Sequence, residues 1–263
     1  MAAVRMFLLK FGTEVVPKSL SVLGADRTRL TEPIFGALVE TTDGLVLLDT
    51  GIGRSALADT ATMTAMYGGT IPTGPEGDPL AVALAAVDLT VADIGLAVVS
   101  HLHVDHTGGI PLLAAAGVPV AIQGPELDYG RHRAEQGTEL AAAFYRSDFL
   151  DPAINWHRLD GEAEIAPGVS VIPTPGHTPG HQSFRVDLPG TGTWILTADA
   201  TDLAQNLHER VPCGWSAEPD DAARAVTSLS TLLDLAERTD ARMLPGHDPI
   251  VWKAAGHPPG GHR

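Results

Sequence analysis

Apolar residues fall into short runs punctuated by Gly, Pro and Asp, the pattern of a chain built from many brief strands and helices. Residues 34–39 and the run Leu45, Val46, Leu47, Leu48 flank Asp43 and Gly44, which predicts a β-hairpin with a tight turn, ending at Asp49, Thr50 and Gly51. Residues 66–78 carry Gly68, Gly69, Pro72, Gly74, Pro75 and Gly77 and predict a long surface loop, a type of segment that often serves as a lid. Asp78 and Pro79 then read as the N-cap and first position of an alanine-rich helix over 80–87. Thr90 to Asp93 has capping-box form.

The pattern continues with a strand over 96–99 that delivers Ser100 and His101 at its end. A helix over 112–116 closed by Gly117 follows, then a strand over 118–122. Residues 125–146 read as mostly helical, with Gly130 and Gly137 as candidate interruptions. From 169 the pattern is β again, over 169–172, 182–186 and 194–197. Residues 220–238 predict an amphipathic helix with Ala223, Val226, Leu229, Leu233 and Ala236 on one stripe. Met243 and Leu244 form a last strand leading into Pro245, Gly246 and His247. Residues 1–10 predict a first strand, and the Gly/Pro/His-rich tail 257–263 predicts fraying. No linker divides the chain, so residues 1–263 read as one domain of layered α/β architecture.

A hydrophobic content of 44% with 19% charged residues is that of a soluble globular protein. No apolar run reaches the roughly 18 to 20 residues of a membrane-spanning helix. The N-terminal run lacks a small-residue cleavage site and reads as a strand, not a signal peptide. A single cysteine, Cys213, excludes an internal disulfide framework and points to the reducing cytoplasm. The formal net charge of −15 opposes binding of nucleic acid through its phosphates. Oligomeric state is left open, a homodimer included.

The histidines are clustered. His101, His103, Asp105 and His106 fall within six residues directly after a strand. Imidazole and carboxylate are the ligands that borderline metals such as zinc prefer. Side chains of an extended segment alternate, so His101 and His103 point the same way. Asp105 and His106, at the turn, can face a second point nearby, so one short loop can serve two metals. Gly108 and Gly109 are expected to let the backbone turn sharply into the next helix. Three further ligand types stand at the ends of predicted strands, where open α/β sheets gather their sites: His177, Asp199 and His247.

The His101–His106 run, the segment 175–181 (Pro-Gly-His-Thr-Pro-Gly-His), the Asp after the strand 194–197 and the final Pro-Gly-His247 together resemble the metallo-β-lactamase superfamily. Within it the chain is similar to the N-acyl-homoserine lactone lactonases, which inactivate quorum-sensing signals. The resemblance spans nearly the whole chain and implies an α/β fold, an αββα sandwich of two mixed β-sheets flanked by helices. It implies that His101, His103 and His177 bind one divalent metal ion, that Asp105, His106 and His247 bind a second, and that Asp199 bridges them. Zinc is the expected metal, though the same ligands accept iron, cobalt or manganese. Two metals about 3.5 Å apart can share a bridging hydroxide that attacks a lactone or other ester at neutral pH. Asp105 can pass a proton to the leaving oxygen.

The chain departs from that pattern at one place. The lactonases carry a tyrosine three positions after the bridging aspartate, where this chain has Asp202. A carboxylate donates no hydrogen bond unless protonated, so another group must act or the substrate differs; Tyr145 and Tyr67 are the candidate phenols. The alternative is that the same site hydrolyses another ester, a thioester of the glyoxalase II type, a β-lactam or a phosphoester. Outside the ligand set, Asp49 and His181 are candidates for orienting a ligand. Cys213 reads as a small core residue, and His132, His157, His208, His257 and His262 as surface residues. Trp156, Trp215, Phe144 and Phe149 could line an acyl pocket, although core packing is the commoner fate of any one of them.

Overall fold

The computed structural model describes residues 3–218 and 221–263. Strands β1 (Arg5–Pro17), β2 (Arg29–Thr41), β3 (Gly44–Leu48), β4 (Ile94–Val98), β5 (Val120–Gln123) and β6 (Trp156–Leu159) form a six-stranded sheet in sequential order. Its first two pairings are antiparallel and its last three parallel. Strands β7 (Ala163–Ala166), β8 (Val169–Pro173), β9 (Gln182–Leu188), β10 (Gly192–Ala198) and β11 (Arg242–Pro245) form the second sheet, in the order β11-β10-β9-β8-β7. Only β10 and β11 run parallel there.

Alternation along the strands sets the layers. In β3, Val46 and Leu48 pack between the sheets with Val98, Phe184, Leu196 and Leu244. Leu47, between them in sequence, faces the other way, toward Leu80, Ile110 and Leu127 of the helices. In β10, Trp194 and Leu196 face the inter-sheet core, while Ile195 faces Leu232 of the helix Asp221–Thr239. The result is two mixed sheets face to face with helices on both outer sides.

Asp78 caps the helix Pro79–Ala85 by accepting from the N–H groups of Leu80 and Ala81 at 3.0 and 3.2 Å. The helix Gly124–Glu135 runs straight through Gly130, where a Cβ would lie 2.3 Å from a methyl of Leu102. That glycine is there for close packing beneath the histidine run, and the chain turns only at Gly137, with φ +67°. Several expectations are corrected. The tail does not fray: Met6 and His262 exchange backbone hydrogen bonds at 2.9 and 2.8 Å, and His262 is buried. The stripe of the long helix is rotated, so that Leu232, Leu229 and Ser228 are buried while Val226 is 51% exposed. The predicted helix start at Asp220, and Met1 and Ala2 of the predicted first strand, lie outside the described residues. Among the described residues no helix is long and apolar enough to cross a membrane.

Candidate metal centre

Strand ends deliver the site. Beyond β4 come His101 and His103, and the short helix Val104–Thr107 adds Asp105 and His106. His177 lies in the β8–β9 loop, Asp199 follows β10, and His247 follows β11. All seven are at least nine-tenths buried, and they converge. His101, His103, His177 and Asp199 form one group of mutually close donor atoms; Asp105, His106 and His247 form another.

Asp199 stands between the groups. Its Oδ2 is 3.2 Å from His177 Nε2 and 3.6 Å from His101 Nε2, and its Oδ1 is 3.1 Å from His106 Nε2 and 3.2 Å from His247 Nε2. Within the first group His103 Nδ1 and His177 Nε2 are 3.1 Å apart. In the second, Asp105 Oδ2 is 3.4 Å from His106 Nε2 and 3.7 Å from His247 Nε2. Ligands of a tetrahedral zinc ion at its usual bond lengths lie about 3.3 Å apart, so both sets of spacings fit a divalent ion.

The ring nitrogens facing inward are free for such a role. His101 Nδ1 is 2.9 Å from the Ser100 hydroxyl, His106 Nδ1 is 2.9 Å from Asp49 Oδ2, and His247 Nδ1 is 3.1 Å from the Pro33 carbonyl. Each contact favours a proton on Nδ1 and turns Nε2 toward the neighbouring candidate ligands. His101 Nε2 is buried without a hydrogen-bond partner, the orphaned state that a cation relieves. Burial, then the neighbouring imidazoles, push His101 and His103 well below the usual histidine pKa and keep them neutral. Burial would also depress His106 and His247, but the carboxylates outweigh it, Asp199 foremost, and raise both. These two therefore favour holding protons that a metal ion, if bound here, would displace. Burial opposes the charge of Asp105, yet His106 and His247 hold its pKa down at about 2.

Asp49 is an anchor. Its carboxylate accepts the Ser100 N–H at 2.7 Å, the Ser100 hydroxyl at 3.0 Å and the His106 imidazole at 2.9 Å. It takes up φ +57° at the end of β3, a left-handed conformation that aspartate tolerates better than most residues. His181 acts on Asp199: the Asp199 N–H donates to its Nε2 at 3.1 Å, and its Nδ1 is 2.8 Å from Thr174 Oγ1. Burial lowers its pKa to about 3, so it stays neutral. Gly108 and Gly109 do not make the sharp turn expected of them, since both have right-handed φ of −62° and −85°. A Cβ on Gly108 would sit 1.7 Å from Gly53 N, so close approach of two loops explains the glycine.

Above the ligands is a cavity of about 150 Å³, lined by His103, Asp105, His177, Asp199 and His247 together with Glu14, Glu32, Asp202, Tyr67, Trp215 and apolar residues that include Val16, Leu20 and Met66. Trp215 packs on His103 and His177, with ring centres 4.8 and 5.1 Å away. Phe144 and Phe149 are core residues, and Trp156 packs against that core. Tyr145 does not reach the cavity; its hydroxyl donates to Asp59 at 3.3 Å. Tyr67 does reach it, and burial followed by the Glu14 and Asp105 carboxyls raises its pKa well above 10, which keeps it a phenol. Asp202 accepts from Cys213 Sγ at 3.0 Å. Burial first, then Asp199, raises the Asp202 pKa strongly.

Glu14 and Glu32 are absent from the sequence reading. Burial raises them to about 8 and about 7. The signal for them was parity: Glu14 shares the inward face of β1 with Val16, and Glu32 that of β2 with Ile34.

Residues 32–247 match the model of the metallo-β-lactamase superfamily. The chain is 30% identical over 221 residues to an N-acyl homoserine lactonase of Bacillus thuringiensis, covering 83% of this chain and 82% of that protein. It is 34% identical over 181 residues to the N-acyl homoserine lactonase AttM of Azorhizobium caulinodans, 66% of each chain. A solved N-acyl homoserine lactone hydrolase with N-hexanoyl-L-homoserine at its catalytic metal centre superposes with a TM-score of 0.86 at 27% identity, covering 98% of this chain and 99% of that one.

Proposed function

The chain belongs to the metallo-β-lactamase superfamily and, within it, groups with the N-acyl homoserine lactonases; from that premise we propose that it is a dinuclear metal-dependent hydrolase that opens the ring of N-acyl homoserine lactones or close relatives. The observation that carries this reading is the Asp199 carboxylate, which turns one oxygen to each of two buried ligand groups. His101, His103 and His177 would hold one ion, Asp105, His106 and His247 the other, and Asp199 both. Zinc suits this nitrogen and oxygen set. When bound, the two ions supply a hydroxide at neutral pH and polarise the ester carbonyl.

The protein's own groups do the rest. Asp105 stands in the ligand group and lines the cavity, placed to carry a proton to the alcohol oxygen that leaves when the ring opens. Tyr67 is the phenol on the cavity wall and takes the hydrogen-bond-donating part. Trp215, Met66, Leu20 and Val16 form apolar walls for an acyl chain and exclude water.

Among the described residues lining the cavity there is no Lys or Arg, whereas Glu14, Glu32 and Asp202 add three carboxyl groups. Burial keeps these three groups largely protonated near neutral pH, so the cavity offers an anionic substrate no cationic partner and favours an uncharged lactone over phosphodiesters, carboxylate-bearing β-lactams and anionic thioesters. Initial rates of the zinc-loaded protein on N-hexanoyl-homoserine lactone, a glutathione thioester, a β-lactam and a phosphodiester test this. The lactone is expected to exceed the others by at least about 100-fold in kcat/KM, roughly 3 kcal/mol of discrimination; a faster thioester or phosphodiester would overturn it.

A further inference from the structure

Glu126 is fully buried at the start of the helix Gly124–Glu135, yet its side chain does not serve its own helix. Its Oε1 accepts the Leu102 N–H at 3.0 Å and its Oε2 accepts the Gly180 N–H at 2.9 Å. Leu102 lies between His101 and His103, and Gly180 lies in the loop that carries His177 and His181. One carboxylate thus grips the two segments that contribute all three histidines of the first ligand group. Gly180 makes the approach possible, since a Cβ there would lie 2.2 Å from the Glu126 backbone nitrogen. Among the described residues Glu126 has no salt-bridge partner. Its electrostatic neighbours include His177.

The arrangement mirrors that of Asp49. Asp49 holds the Ser100 end of the run and orients His106 of the second group, while Glu126 touches no ligand side chain and acts through the backbone of both first-group segments. Two buried acidic side chains outside the candidate ligand set therefore stand one behind each group.

We propose that Glu126 is a positioning residue for the three-histidine group, fixing the His101–His103 segment against the His177 loop and thereby setting the affinity for the first ion. The proposal rests on the two-ion reading above. Glu126→Gln keeps the size of the side chain but places an amide NH2 against one of the two backbone N–H groups. Stepwise binding of cobalt to metal-free protein is followed by competition with a chromogenic chelator and by the visible absorption of the bound cobalt. The expected result is a loss of about 10–100-fold in affinity for the first ion and less than about 3-fold for the second, with an altered cobalt spectrum. Asn206→Ala, which removes buried hydrogen bonds to the Ser21 and Val211 carbonyls away from both loops, controls for a general loss of stability and should leave both affinities unchanged.

Should the Gln variant not fold, Glu126→Asp carries the test, because its shortened acid still weakens the first ion preferentially. Unchanged binding in either folded variant, or an equal loss at both ions matched by Asn206→Ala, overturns the role of Glu126 alone. A wild-type protein that binds no cobalt overturns the two-ion reading together with it.

Discussion

Asp49 Oδ2 lies 2.9 Å from Nδ1 of His106, although 57 positions separate the two residues. The contact fixes the proton on Nδ1 and aims Nε2 at Asp105 and Asp199. Asp49→Ala should therefore weaken the second ion about 10–100-fold and lower activity at limiting metal, as read by chelator competition. Because Asp49 also holds the Ser100 N–H and hydroxyl, stability should fall as well, by about 1–3 kcal/mol. Unaltered metal affinity would show that the carboxylate only braces the loop.

Tyr67 faces the cavity where Tyr145 does not. Loss of one donor to a developing oxyanion typically costs about 10²–10³ in kcat. Tyr67→Phe should lower kcat by roughly 10–10³-fold with KM within about 3-fold, while Tyr145→Phe leaves both near wild type. Steady-state kinetics on a single lactone decides this, and equal effects of the two variants would remove Tyr67 from the mechanism.

Asp148 is buried at 1% exposure, and burial, partly offset by the Thr107 and Ser147 hydroxyls, raises its pKa to about 7. Between the unfolded value of about 4 and the folded value, the native state binds more protons than the unfolded chain. This group therefore makes stability fall as pH rises through that window, with the full penalty above about pH 7. Asp148→Asn removes the term. Relative to wild type, its stability should improve by roughly 2–4 kcal/mol between pH 5 and pH 8. Urea midpoints at the two pH values measure it, and parallel curves would refute the assignment.

Gly108 tests the packing beneath the site. Adding a methyl group drives a Cβ to 1.7 Å from Gly53 N, whereas at Gly95 the nearest neighbour is the Leu45 carbonyl at 3.5 Å. Gly108→Ala should cost about 1–3 kcal/mol or more, and Gly95→Ala less than about 1 kcal/mol. Chemical denaturation of both variants checks the contrast.

These residues also show what was readable from the chain. The seven candidate ligands that the structure brings together were legible because metal chemistry favours His and Asp and because they stand at strand ends. The hairpin at Asp43–Gly44 and the cap at Asp78 were legible from local turn and cap chemistry. Parity put Glu14 and Glu32 on inward faces, but neither they nor Glu126 showed a role in sequence, because that role comes from strands and a helix that meet only in three dimensions. Gly108 was misread for a related reason, since a glycine needed for close approach looks in sequence like one needed for a turn. The short helices Arg54–Ala58 and Thr60–Met66, the second of which ends at the Tyr67 cap, are too brief to show a clear period.

The central claim is that lactone opening depends on two ions shared by Asp199. It is tested most directly by titrating chelator-stripped protein with zinc while following ring opening of N-hexanoyl-homoserine lactone. The account predicts negligible rate without metal, a rise that levels off at two ions per chain, and a loss of about 10²–10⁴-fold in Asp199→Ala. A rate that is the same without metal, or that ignores the loss of Asp199, would contradict it.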